Sequence, residues 1–197
     1  VAIVGARNAS ISSKKWTENL AKELIQNGFG VVSGLARGID SSAHIGGIER
    51  TCAVVAGGID QIYPKENTML YKTIEKQGCI ISEDPIGVQP SAPLFPRRNR
   101  LIAALSSAVI VVEAAIKSGS LITCKNAMEI GVDVFSVPGA PYDTKCEGNL
   151  LLLKDGAYLC RGIDDIIEVI GKRSALNISK NHESQDGVFI SEDKSIK

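Results

Sequence analysis

Aromatic side chains are scarce, with one Trp, four Tyr and four Phe in 197 residues. A ligand surface made of many stacking rings is therefore excluded, and only Tyr63 and Phe95 stand in turns where a ring could meet a ligand. Net charge is missing too, because 22 Lys and Arg balance 22 Asp and Glu. Overall attraction cannot hold a polyanion on such a chain, so any basic site must be local. The five cysteines (Cys52, Cys79, Cys124, Cys146, Cys160) show neither C-x-x-C nor Cys/His spacing. That pattern excludes a zinc site and a disulfide framework, and predicts reduced thiols and a cytoplasmic location. No apolar run approaches the roughly 20 residues that span a bilayer, and no leader peptide is visible, so no membrane partner is expected. G-x-G-x-x-G is absent after the first apolar run, where Gly5 stands alone before "ARNAS", and so is a Walker A loop. Dinucleotides and ATP lose their usual cradle, and no cofactor is expected. Neither a nucleophile elbow nor a metal-ligand set occurs, so no catalytic or metal site is expected.

What is present is a repeated Val/Ile-rich run followed by a turn and a segment of helical period, the pattern of parallel strands with crossover helices. Strands are predicted at 1–5, 29–34, 52–57, 79–83, 108–114 and 133–139. Between the first two, Ser12 or Ser13 can cap a helix carrying Trp16, Leu20, Leu24 and Ile25 on one face, with Gly28 ending it. Further helices fit 38–49, 66–77, 98–106, 119–130 and 163–170. Strands apolar throughout imply burial on both faces, hence an α/β fold with a doubly wound, mostly parallel sheet and helices on both faces. Residues 1–170 form one domain on this reading, and the polar stretch 171–197 a linker or disordered tail.

In open α/β sheets ligands sit beyond the carboxyl ends of the strands. The loops there hold Arg7; Ser33, Gly34, Arg37 and Asp40; Gly57, Gly58 and Lys65; then "FPRRNR"; then Glu113, Lys117, Ser118, Gly119 and Ser120. Glycine admits a phosphate to the backbone, a helix N-terminus adds its dipole, and Arg or Lys supplies charge-assisted bonds. Three arginines opening a helix oppose its dipole, which predicts an anion at that start. Asp40 and His44, four apart, can pair as local helix support, and Glu113 is the candidate for a base. Exposed rim arginines contribute little to a core, so Arg7 and Arg98 are expected to be replaceable without loss of stability.

"VAIVGARNAS", "VVSGLARGID" followed by "AH", "GGIDQIYPKEN", "FPRRNRLIAALS", "VIVVEA", "KSGSLIT" and "VFSVPG" occur in an order that resembles the DprA (Smf) family of DNA-processing proteins, over roughly residues 1–170. The resemblance implies an extended Rossmann-like domain that binds and protects single-stranded DNA, assists RecA loading in natural transformation, and forms a homodimer without enzymatic activity. It points to Gly5, Arg7, Ser33, Gly34, Arg37, Lys65, Arg98, Asn99, Arg100, Ser118, Gly119 and Ser120 as the DNA-facing set. One departure is that Asn149 comes one place early, with Leu150 where many members have Asn. The apolar segment 150–160 is expected to lend leucines to a subunit contact. An enzyme alternative on the same loops is a nucleotide phosphoribohydrolase with Glu113 as base, although "SGSLIT" lacks the second carboxylate of that motif.

Overall fold

Residues 1–4 are buried on alternate sides. Val1 and Ile3 join Leu20, Leu24, Ile39, Ile110 and Phe135 in one apolar cluster, while Ala2 and Val4 join Val32, Ile102, Val109, Cys124 and Ala127 in another. A strand buried on both faces belongs at the centre of a sheet with helices above and below. The computed structural model, which describes residues 1–171, has that architecture. Its strands are β1 (Ala2–Val4), β2 (Val31–Ser33), β3 (Thr51–Val54), β4 (Cys79–Ile81), β5 (Ala108–Val111), β6 (Asp133–Ser136) and β7 (Tyr158–Leu159), in the spatial order β4-β3-β2-β1-β5-β6-β7. Every pairing is parallel. The helices are α1 (Ile11–Gln26), α2 (Ile39–Gly46), α3 (Thr68–Gln77), α4 (Leu94–Ala104), α5 (Ser120–Glu129), α6 (Glu147–Lys154) and α7 (163–171). The predicted 171–197 tail lies outside the described residues except for Gly171, which ends the described part of α7.

Leu20, Leu24, Ile39, Ile110 and Phe135 are all at most 2% exposed, and burial of each contributes about 1.5–3 kcal/mol. All six predicted strands are present, though shorter. Three elements differ from expectation. Ser10, not Ser12 or Ser13, caps α1, accepting the Ser13 N–H at 3.1 Å. α4 begins at Leu94 rather than 98 because Pro93 and Pro96 sit at its entry, where a missing N–H costs nothing. Arg97 therefore joins Arg98 and Arg100 on the helix, and none of the three opens it. α6 and β7 were not foreseen. Within 150–153, Leu152 is buried, Leu150 and Leu153 are half-buried, and Leu151 is 45% exposed, as are Tyr158 and Leu159 on the edge strand.

From β1 the chain steps outward through β2 and β3 to β4, then returns to the other side of β1 as β5. The loops after β1 and β5 consequently run apart and leave a crevice between them, the usual ligand position in such sheets.

Candidate functional site

The crevice has a volume of about 830 Å³, within the range of small-ligand clefts. Its wall includes Gly5, Arg7 and Asn8 after β1, Tyr63, Phe95 and Asn99 of α4, and Lys117 with the Ser118–Gly119–Ser120 turn after β5. The Arg7 guanidinium lies over the Phe95 ring, 5.5 Å from its centroid, and the Phe95 and Tyr63 rings are tilted with centroids 5.5 Å apart. One cation and two rings thus form a row along the cleft. Arg7, Lys65 and Lys117 are exposed, and among the described residues none of the three has an acidic partner within ion-pair distance. Across the cleft, the Ser118 and Ser120 hydroxyls are 2.7 Å apart, and Asn99 donates to the Gly119 carbonyl at 3.2 Å. The Ser118 hydroxyl accepts the Ser120 N–H at 3.4 Å at the start of α5, so the turn presents its hydroxyls and the helix's positive dipole end to the cleft rather than free N–H groups.

The "SGLARGID" loop is organised differently from the sequence expectation. Leu35 adopts φ +56, a left-handed conformation that costs a non-glycine residue about 1–2 kcal/mol. Three bonds from α2 offset that cost: Asp40 accepts the N–H groups of Gly34 (3.2 Å) and Ala36 (3.4 Å), and His44 Nε2 accepts that of Leu35 (3.3 Å). Asp40 and His44 are therefore not paired with each other; both hold one turn. Those N–H groups, engaged from within, do not project toward a ligand. Since Nε2 accepts, the His44 proton is on Nδ1, which donates to Thr51 Oγ1 at 2.7 Å. Burial lowers the His44 pKa to about 3, with the Arg98 charge adding to the effect. Gly38, at φ +78, lets α2 press on the β1 loop, where a Cβ would lie 2.2 Å from the Ala6 carbonyl oxygen.

Ser33, expected on the rim, is fully buried and donates its hydroxyl to the Ile3 carbonyl at 2.6 Å. Gly34 is buried as well, and a Cβ there would lie 2.4 Å from Arg98 Nη1. Arg98 is 6% exposed, not a free rim arginine, and donates to the carbonyls of Gly34 and Val54. It forms the floor of the cleft. Burial pushes the Asp40 carboxyl above the usual range against the opposing pull of Arg98, and burial lowers Arg98 in turn. The other arginines of "FPRRNR" meet the acids at the end of β4: Arg97 Nε is 3.1 Å from Glu83 Oε1, Arg97 also binds Asp84, and Arg100 binds Glu83. With α4 starting at Leu94 the arginines do not open the helix, and the expected anion at its start gives way to ion pairs with the protein's own acids. Arg37 lies 3.5 Å from Glu66.

Glu113, the candidate base, is 2% exposed, and its Oε2 accepts the Ser10 N–H at 3.1 Å. It steadies the start of α1 and hence the β1 loop. Asn149 is fully buried: Oδ1 accepts the Ala114 N–H at 2.7 Å, while Nδ2 donates to the carbonyls of Val111 and Val112. The displaced asparagine therefore ties α6 to the end of β5. Sequence reasoning did not single out Asn8 or Thr123, which line the cleft from within the "VAIVGARNAS" and "KSGSLIT" motifs. Lys117 was named among the rim loop residues but stood outside the DNA-facing set.

A doubly wound parallel sheet with an open cleft at its switch point defines the class: a Rossmann-like α/β domain. Within that class the chain belongs to the DNA recombination-mediator protein A family, whose model matches residues 1–171. It is 42% identical over 174 residues to Protein Smf of Synechocystis, covering 87% of this chain and 44% of that protein. Among solved structures, DprA from Streptococcus pneumoniae superposes with a TM-score of 0.79 at 41% identity, covering 85% of this chain and 60% of that one. DprA from Helicobacter pylori, described for its single-stranded DNA binding mode, gives 0.78 at 34% identity, covering 87% and 80%. The chain spans about half the length of the curated relatives it matches. No helix among the described residues is long and apolar enough to cross a membrane.

Proposed function

We propose that the crevice binds single-stranded DNA, with Arg7 and Lys117 on phosphates, Phe95 and Tyr63 under bases, and the Ser118–Gly119–Ser120 turn with Asn99 and Gly5 on the opposite side. Lys65 and Arg37 would extend the track outside it. The observation that carries this reading is the open Arg7–Phe95–Tyr63 row: cations track a backbone, and rings accept any unpaired base. A duplex keeps its bases stacked and cannot offer them to those rings. The single-stranded DNA mode described for the Helicobacter pylori relative supports the same reading. Fluorescence anisotropy with labelled oligo-dT and a duplex of equal length tests it. Oligo-dT should bind tighter, and Phe95→Ala should weaken it roughly 5- to 100-fold, the range for losing one stacked base. Equal binding of both DNAs, or an unaffected Phe95→Ala, would rule the arrangement out.

This is a binding role rather than an enzymatic one. A phosphoribohydrolase would need Glu113 as its base, whereas that carboxylate is 2% exposed, with Oε2 held by the Ser10 N–H and Oε1 buried without a partner; incubation with nucleoside monophosphates should release no base. Transfer of the strand to RecA recombinase is part of this proposal and rests on the family resemblance alone. Pairing of two copies is supported by exposed Leu151, Tyr158 and Leu159 around edge strand β7, and sedimentation at micromolar concentration should give twice the 20.9 kDa chain mass.

A further inference from the structure

Cys52 of β3 and Cys79 of β4 are register partners in adjacent parallel strands. Register partners point to the same face of a sheet, and neighbouring strands lie about 4.8 Å apart, inside the roughly 4.4–6.8 Å between Cα atoms that a disulfide accepts. β4 is the last strand on its side of the sheet. Cys79 is exposed and Cys52 half-buried behind it. We propose that Cys52 and Cys79 form a redox-active dithiol at the sheet edge, which takes up an oxidising small-molecule disulfide and closes to a reversible intramolecular bridge. The site is separate from the crevice and independent of the DNA reading.

The order of events follows from exposure. The Cys79 thiolate attacks one sulfur of the external disulfide, forming a mixed disulfide and expelling the first thiolate. Cys52 then loses its proton, attacks the Cys79 sulfur and expels the second. Two protein thiols are oxidised and one external disulfide is reduced to two thiols, so atoms and electrons balance. Burial, then the Cys79 thiolate charge and its hydrogen bond, raises the Cys52 pKa to about 11, so Cys52 is the slower attacker and acts second, when its register places the Cys79 sulfur beside it. Two of the other thiols compete poorly: Cys124 and Cys160 are buried, and burial pushes both to about 12.

Oxidised glutathione, applied to the folded 197-residue chain, is the probe. Thiol titration after denaturation should fall from five to three, peptide mapping should show a Cys52–Cys79 bridge, and dithiothreitol should restore all five thiols. Cys52→Ser should stop at a lasting glutathione adduct on Cys79. Retention of all five thiols, a lasting adduct on Cys79 in the unsubstituted chain, or a bridge between another pair would overturn the proposal. Since the unsubstituted chain decides between these outcomes, the test holds even if the variant folds poorly.

Discussion

Arg7 and Arg98 reach the same cleft and do different work there. The Arg98 guanidinium is held by internal carbonyls beside Asp40, so Arg98→Ala leaves a buried carboxylate without its counter-charge, at a cost on the order of 3 kcal/mol. A clear fall in the urea midpoint is expected. Arg7 is exposed, with its guanidinium over the half-buried Phe95 ring, and Arg7→Ala should nearly keep the midpoint while weakening oligo-dT binding. Equal midpoints for both variants would contradict the placement of Arg98. His44 supplies a pH signature. Its imidazole is neutral when folded, with a pKa near 3, whereas the unfolded chain protonates near 6.5, so the unfolded state binds more protons as pH drops below 6.5. His44 therefore lowers stability by about 2 kcal/mol between pH 7 and pH 5. Urea midpoints at the two values should differ more in the unsubstituted protein than in His44→Gln.

α6 is fastened to the sheet by the Gly148 N–H on the Ala114 carbonyl, the Ser136 hydroxyl on the Asn149 carbonyl, the buried Leu152 and, above all, the Asn149 side chain. Asn149 makes one bond to the Ala114 N–H and two to the carbonyls of Val111 and Val112, so Asn149→Ala strands buried polar groups at a cost of about 2–3 kcal/mol. The loss should appear in thermal unfolding, with hydrogen exchange rising first in α6 and at the end of β5. Neither α6 nor β7 could be read from sequence, for different reasons. Four consecutive leucines at 150–153 carry no helical period, and a two-residue edge strand with both side chains exposed has no alternation. Five of the other strands were legible because burial on both faces writes an unbroken apolar run, and edge strand β4 because its short Cys-Ile-Ile run is apolar although only partly covered. At the site, exposed Arg7 and the Ser118–Ser120 turn were visible as local motifs, but the fate of Arg98 was not. Its two acceptors lie 64 and 44 positions away, and only the folded chain brings them together.

Across the whole molecule, 22 positive and 22 negative side chains cancel, leaving Arg7, Lys65 and Lys117 as open cations around the proposed track. Three phosphate contacts imply that log affinity falls against log salt with a slope of about −2 for a single strand, and that Arg7→Ala flattens it by about 0.7. Titrations at several salt concentrations would show a slope near zero if phosphates are not the anchor. The strand order has a consequence of another kind, in the time before the chain is finished. Ala2 pairs with Val32 on one side and with Val109 on the other, so the most central strand of the completed sheet is an edge strand for as long as the ribosome takes to deliver β5. Its free N–H and C=O groups then form a template for unwanted pairing, in the part of the molecule that carries the β1 wall of the crevice. A nascent chain halted before Ala108 should consequently recruit holding chaperones and aggregate when released without them, whereas one that includes β5 has closed that edge with its own strand.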